Sequence, residues 1–224
     1  MSVKPILTVV SLFVASASVS TAAVSAWFNE FHYSNSGADT DEFIEVAVPS
    51  SYADLANLQV TLYDGPGGVV YDSLTLLGFS TGVSANGYTL YHFTYAPNSI
   101  DDGPAGFALS HSGALIQFLS YEGSFTATEG PASGHTSVDI GYSEDGTDPV
   151  SSLGLTGTGS QYADFSWTKF QTPSRSTFNL NQTINAVPEP AEWGLICALG
   201  LFGVCGLHTW RQRRRAQSQT PIAS

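Results

Sequence analysis

The clearest sign of the architecture is the stretch LQVTLYDGPGGVVY, residues 58–71. Apolar Leu58, Val60 and Leu62 alternate with other side chains, and this period of two is typical of a β-strand. The run DGPGG that follows is a strong turn signal, and a second apolar run begins directly after it. The stretch therefore predicts two strands joined by a tight turn.

The same pattern recurs along residues 27–186, which we call the body. Short runs rich in Val, Ile, Tyr, Phe and Thr alternate with Gly, Asn, Asp and Pro, and no apolar period of 3.6 residues is sustained. Seven or more short strands in one domain predict an all-β fold, a β-sandwich. The runs lie at 43–48, 58–63, 69–71, 74–76, 87–95, 107–109 and 114–119, with a hairpin turn predicted at 110–113.

Charge is distributed unevenly along the 224 residues. The body holds 17 of the 19 acidic residues but only Lys169 and Arg175 as basic ones, a formal charge of −15. Such a surface repels phosphate backbones, so we predict no nucleic-acid partner. Both cysteines, Cys197 and Cys205, lie after the body, which excludes a disulfide framework within it.

The N-terminal residues 1–26 are typical of a secretory signal peptide. Lys4 supplies the positive start, residues 6–14 the apolar centre, and small residues the cleavage region. Cutting after Ala23 or after Ala26 satisfies the small-residue rule equally well. The alternative is an uncleaved membrane anchor, for which an apolar core of about nine residues is short.

The C-terminal region predicts one transmembrane helix at 193–210. Its 18 predominantly apolar residues would form a helix of ~27 Å, enough to cross the hydrocarbon layer. Arginines follow at once, which predicts that residues 216–224 are cytoplasmic and that the acidic body lies outside. The cluster consists of Arg211, Arg213, Arg214 and Arg215.

The whole segment 187–215 resembles the PEP-CTERM sorting signal of Gram-negative bacteria. It has the motif Val187-Pro188-Glu189-Pro190, then one apolar helix, then the arginine cluster. The resemblance implies that an exosortase, a membrane transpeptidase, recognises and cuts this tail and passes the body to the cell surface or extracellular polysaccharide. The nine residues after Arg215 depart from the family pattern. The alternative is a type I membrane protein whose tail is never cut.

Several phrases of the body resemble the lamin-tail domain, whose fold is an immunoglobulin-like β-sandwich. They are 27–33 with 39–46, then 117–123, then 155–159 with 165–167 and 172–173. The family pattern has a glycine after Thr172-Pro173, and Ser174 stands there instead. The resemblance implies an exported or surface module. Bacterial relatives are often joined to hydrolases, and no such partner domain is recognisable in this sequence.

Catalytic patterns in the body are weak. Gly78-Phe79-Ser80-Thr81-Gly82 matches G-x-S-x-G, but the residues after it predict turn and strand, whereas a nucleophile elbow needs a helix. A plain Gly-Ser loop is the better interpretation. The histidines at 32, 92, 111, 135 and 208 show no metal-binding spacing, with 32 and 92 predicted in strands and 111 in a turn.

Carboxylates form the one dense constellation. The constellation consists of two acidic loops, at 39–45 and 143–148. Calcium takes six to eight oxygen ligands from flexible loops, so both have the right chemistry for a calcium site, although neither loop matches the calcium-loop motif. Strand alternation points Glu45 to one face of its strand and leaves Glu42 beyond the strand's edge. The alternative is a pair of solvated acidic loops. The candidate ligands are Asp39, Asp41, Glu42 and Glu45 in one group and Asp145 and Asp148 in the other.

These features predict an exported, non-enzymatic module of the cell surface or extracellular matrix, with an exosortase as its processing partner. No cofactor other than calcium is predicted. Tyrosine-rich strands suit sugar faces, so extracellular polysaccharide is a candidate ligand class; the alternative is that most of these rings are core residues or cross-strand pairs. The rival interpretation is an extracellular hydrolase, or an accessory domain of one, that acts on polysaccharide or nucleic acid through the acidic loops.

Overall fold

A computed structural model describes residues 24–144 and 151–186 and folds them into two packed β-sheets. The all-β prediction is confirmed. The strands are β1 Trp27–His32, β2 Phe43–Pro49, β3 Leu58–Asp64, β4 Val69–Thr75, β5 Ser80–Ala85, β6 Tyr88–Thr94, β7 Ala105–His111, β8 Ala114–Tyr121, β9 Val138–Asp139, β10 Ser152–Gly159, β11 Phe165–Phe170 and β12 Gln182–Ile184. Short 3₁₀ turns lie at Leu55–Asn57, Leu76–Gly78 and Tyr162–Asp164.

The first sheet, sheet A, has the strand order β11-β10-β1-β2-β6-β5, and β12 also pairs with β10. The second, sheet B, has the order β4-β3-β7-β8-β9. Neighbouring strands run antiparallel except for the pairs β10–β12 and β8–β9. Sheet A therefore joins the first strand of the body to its last three, which brings residues from both ends of the body onto one surface.

The hairpin between β7 and β8 turns more tightly than the sequence suggests. Ser112 and Gly113 have φ of +49° and +81°, as a two-residue turn of type I′ requires. The predicted turn at 110–113 is thus two residues too long, and His111 ends strand β7. The predicted runs 69–71 and 74–76 are one continuous strand, β4.

Aromatic side chains from both sheets fill the space between them. The Phe31 ring lies 4.8 Å from that of Phe107, 5.5 Å from that of Tyr121 and 5.5 Å from that of Trp167, measured between centroids. Phe31 is fully buried. Since truncating such a ring to alanine costs about 3–5 kcal/mol, this cluster is a major source of stability.

A cover segment, residues 123–137, buries the outer face of sheet B. Tyr63, Phe118 and Phe125 form a second small apolar cluster there. The Tyr63 hydroxyl accepts a hydrogen bond from the Ala132 amide at 3.1 Å, which ties the segment down. The β3 strand is therefore buried on both faces.

A second covering piece, the strap of residues 171–181, lies on the outer face of sheet A. Its Ser176 carbonyl accepts a hydrogen bond of 2.8 Å from the Val83 amide of β5. A Cβ placed on Gly82 would lie 2.8 Å from that carbonyl oxygen, so a glycine is needed where the strap meets the sheet. The strap covers the middle of the outer face of sheet A, where Glu30 and Glu45 are fully buried.

Parts of the prediction lie outside the described residues. These are the signal peptide up to residue 23, Asp145 and Asp148, and everything from Val187 onward, including the sorting motif and the predicted helix at 193–210. Within 24–144 and 151–186, no helix is long and apolar enough to cross a membrane.

Candidate functional site

The outer face of sheet A carries two glutamates that face each other. A bulge in β1 between Phe28 and Glu30 shifts its register, so that Glu30 pairs with Glu45 of β2. Both side chains are fully buried. Two carboxyl groups under one cover are costly to ionise together, so their hydrogen-bond partners decide whether the arrangement is tolerated.

The strap supplies most of those partners. The Ser174 amide donates to Glu30 Oε1 at 2.8 Å and its hydroxyl to Oε2 at 3.0 Å. The Ser176 amide donates to Glu45 Oε2 at 2.6 Å, and the Asn29 side chain donates to Oε1 at 2.9 Å. The Ser174 hydroxyl thus binds a buried carboxyl group, at the position where the predicted lamin-tail resemblance would have a glycine.

Burial sets the protonation of this pair. Burial raises the pKa of Glu45 to about 8, against the lowering effect of the Asn29 hydrogen bond, and the nearby Glu30 raises it further. The pKa of Glu30 is also raised by burial, although hydrogen bonds from Ser152 and Ser174 oppose the shift. The raised pKa of Glu45 favours its protonated form, which relieves the repulsion between the two groups.

Arg175 lies in the strap between Ser174 and Ser176. Its guanidinium carbon sits 5.2 Å above the centre of the Phe43 ring, a cation–π contact. Its Nη1 donates to the Thr94 hydroxyl at 3.0 Å. Its positive charge lowers the pKa of Glu30 and Glu45, though less than burial raises them. Arg175 is thus both a counter-charge to the buried pair and a fixed, half-exposed cation.

A cleft of about 380 Å³ opens beside Arg175, between the strap and the loop 35–42. This is the size of a small-ligand site. The loop wall is held rigidly, because Asn35 Oδ1 accepts from the Thr40 amide at 2.6 Å and Asp39 Oδ1 accepts from the Asn35 amide at 2.5 Å. The lining residues are His32, Asn35, Thr40, Asp41, Phe43, Thr172, Pro173 and Arg175.

His32, at the base of the cleft, forms a buried ion pair with Glu144. The Glu144 carboxylate contacts His32 Nδ1 at 3.0 Å and accepts from the amides of Tyr33 at 2.7 Å and Ser34 at 3.0 Å. Burial lowers the pKa of His32, but the hydrogen bond and charge of Glu144 outweigh it, and the net pKa is raised. The pair's contribution to stability is therefore complete below the usual histidine pKa and is lost as pH rises through the raised value.

The structure separates the first group of predicted calcium ligands. The Glu42 carboxylate accepts from the amides of Ser99 at 2.8 Å and Ile100 at 2.9 Å. Glu45 faces Glu30 under the strap. Asp39 accepts a hydrogen bond from the Asn35 amide within the loop, and Asp41 is exposed at the cleft. In the described ranges, no three His, Cys, Asp or Glu side chains are arranged to hold a metal. The second group, Asp145 and Asp148, is not among the described residues, so a calcium site stays a prediction.

Ser80, the centre of the G-x-S-x-G match, begins strand β5. A strand follows where a nucleophile elbow would have a helix, and the predicted loop is also wrong. Another serine does meet a histidine, since Ser176 Oγ lies 3.1 Å from His92 Nδ1. Burial and then the Arg175 charge lower the pKa of His92, so its imidazole is neutral at pH 7. His32 and His92 lie in strands, as predicted.

Sequence reasoning missed Glu30, Glu144 and the strap serines. Glu30 is hidden because the bulge breaks the alternation that would place it on a face. The available signal was a charge inside each of two apolar runs, WFNEFH and FIEVAV, since a buried charge needs a partner. Nothing local in the sequence connects Glu144 with His32, which is 112 residues away.

Comparison with known protein families, with characterised proteins and with solved structures finds no match to this chain. The described residues are thus a β-sandwich with partly covered outer faces, a buried acidic pair and one cleft with mixed charge. The lamin-tail and sorting-signal resemblances stay predictions.

Proposed function

We propose that this chain is an exported, non-enzymatic module of the cell surface or extracellular matrix of a Gram-negative bacterium. An exosortase would sort and process it through the tail at 187–215, after a stage in which the C-terminal helix holds it in the inner membrane. The tail carries this proposal, because a Pro-Glu-Pro motif, an apolar helix and an arginine cluster follow one another in the family's order. The proposed subclass of the sandwich is the lamin-tail, immunoglobulin-like fold.

The end of the described body is compatible with such processing. Strand β12 ends at Ile184, and the Asn185 amide donates to the Gly159 carbonyl at 2.6 Å. Both lie before Val187, so removal of the tail would leave these contacts in place. Proline at positions 188 and 190 is unfavourable within a helix, which fits a motif that a protease must bind.

The test is replacement of Glu189 by alanine in the natural host, with the intact mass and location of the product as readout. We expect E189A to accumulate as a longer, membrane-retained chain. The matched control is Glu192→Ala, which removes an acidic residue of the same tail outside the motif and should be processed normally. Unchanged processing of E189A would overturn the sorting proposal and favour an uncut type I membrane protein.

The calcium proposal is confined to the acidic loop at 145–148, because the structure gives Asp39, Glu42 and Glu45 separate hydrogen-bond partners. Thermal unfolding of the purified chain in calcium and in EDTA tests it. A ligand present at a hundred times its dissociation constant adds about 2.7 kcal/mol to the free energy of unfolding. Identical midpoints in the two buffers would remove calcium from the proposal.

The second candidate is a hydrolase, and the Ser176–His92 hydrogen bond is the observation that favours it. A serine hydroxyl beside a neutral imidazole is the pair that nucleophilic hydrolases use. The test is hydrolysis of p-nitrophenyl acetate and of an acetylated polysaccharide. Activity lost in Ser176→Ala and kept in Ser80→Ala would establish this candidate, and an inactive wild type would dismiss it.

A further inference from the structure

The cleft beside the strap presents two opposite charges from two different elements. Arg175 comes from the strap, and Asp41 comes from the loop that precedes β2. Asp41 has a φ of +60°, a left-handed conformation that is uncommon for a residue other than glycine. Asp41 is exposed, so its carboxylate is accessible from the cleft.

The two charged side chains are not satisfied by one another. Within residues 24–144 and 151–186, no ion pair between Asp41 and Arg175 and no hydrogen bond to the Asp41 carboxylate is found. Arg175 donates to Thr94, whereas a guanidinium group carries five N–H donors. One strong acceptor and several strong donors thus remain free along the same cleft.

Apolar surface next to these groups comes from the partly exposed Pro173, which lines the same cleft. The guanidinium carbon of Arg175 lies 5.2 Å from the centre of the Phe43 ring, and that ring is itself buried. A ligand that matches this lining needs groups that both donate and accept hydrogen bonds, together with a face of C–H groups. Neighbouring hydroxyls on a sugar ring have this combination.

We propose that this cleft binds one unit of a neutral saccharide chain, with Asp41 accepting from one hydroxyl and Arg175 donating to its neighbour. The inference rests on the proposed function, for which it supplies the ligand site in the matrix. The formal charge of −15 on the body disfavours a polyanionic chain, so a neutral saccharide is favoured over a uronate-rich one.

The test is calorimetric titration of the full-length chain, purified in detergent, with neutral tetrasaccharides of glucose, mannose and N-acetylglucosamine and with tetragalacturonate. We expect at least one neutral tetrasaccharide to bind, and Asp41→Asn and Arg175→Lys to weaken that binding tenfold or more. Asparagine tolerates the left-handed conformation, so D41N removes the charge and keeps the loop. Lysine keeps the counter-charge to the buried glutamates but loses the planar fork.

The matched controls are Asp72→Asn on β4 and Lys169→Gln on β11, which remove one charge of each sign outside the cleft lining. Both should bind as the wild type does. No binding of any neutral tetrasaccharide, tighter binding of tetragalacturonate, or unchanged affinity in D41N would overturn the proposal. Should R175K fail to fold, D41N alone decides. Because tail processing is read out by mass in E189A, failure of the cleft and failure of sorting are distinguishable.

Discussion

Glu30 and Glu45 lie opposite each other on adjacent strands, both fully buried, and each receives a backbone amide from the strap. Through these two residues, strands β1 and β2 from the start of the body are hydrogen-bonded to the strap from its end. The strap thus sits over two groups whose charge depends on pH.

Stability should fall as pH rises from 5 to 8, because the raised pKa of Glu45, about 8, means that the folded chain holds a proton that the unfolded chain releases. This contribution is complete below the unfolded pKa and is lost as pH rises through the folded one, at up to about 1.4 kcal/mol per pH unit. Urea unfolding at several pH values measures the slope. Glu45→Gln should flatten it, and Asp139→Asn, at an exposed position on β9, should leave it unchanged. An equal slope in E45Q and wild type would refute this role.

Removing the Glu144 charge should destabilise the fold strongly. Its carboxylate serves His32 and the amides of Tyr33 and Ser34, and breaking a buried ion pair costs about 3–5 kcal/mol. Denaturant unfolding of Glu144→Gln measures the loss. Glu129→Gln is the control, since that exposed side chain accepts one amide, from Val70, and should cost about 1 kcal/mol. Similar losses in both variants would contradict the assignment.

Gly82→Ala should displace the strap, because the new Cβ would lie 2.8 Å from the Ser176 carbonyl oxygen. We expect about 1–3 kcal/mol of destabilisation, as for other overpacked sites. Limited trypsin digestion followed by mass measurement shows how accessible the strap is. Trypsin cuts after Lys and Arg, and Lys169 and Arg175 are the basic residues of the body. Gly67→Ala is the control, because its nearest neighbour would be at 3.5 Å. Equal cutting at Arg175 in both variants would sink the prediction.

The mature N-terminus should be Val24, that is, the predicted signal peptide should be cut after Ala23. Ala26 is buried, and Val24 packs against the core. Cutting after Ala26 would remove both contacts and place a charged amino group on Trp27, which is 1% exposed. N-terminal sequencing of the exported chain decides between the two sites, and a chain that begins at Trp27 would show the inference to be wrong.

Local sequence signals recovered several of the strands, including β2, β3, β6 and β8, and one of the turns between them. DGPGG marked the β3–β4 turn, and the alternation at 87–95 marked β6, because turn chemistry and side-chain period are properties of a few consecutive residues. The bulge in β1, the covering of both outer faces and the His32–Glu144 pair depend on residues far apart in the chain. The alternation of β3 could not show that Tyr63 is buried, since residues 123–137 cover it.

The same limit applies to the cleft. Phe43, Asp41 and Arg175 are unremarkable in sequence, and their meeting depends on how the strap crosses sheet A. The acidic group at 39–45 looked like one metal site because its members are close in the chain. In the fold, strand alternation and the loop send Glu42 and Glu45 to different partners.

The pairing of β1 with β10 has a consequence for the order of events as the chain emerges. Strand β1 can pair on its second edge only after residues 153–154 have been synthesised, and Glu30 can be hydrogen-bonded by the strap only after Ser174 has been. A chain that emerges from its N-terminus cannot finish folding until nearly the whole body has appeared. Contacts of such long sequence separation slow folding, so the nascent body spends this interval as an acidic, incompletely paired polymer whose self-repulsion keeps it from aggregating.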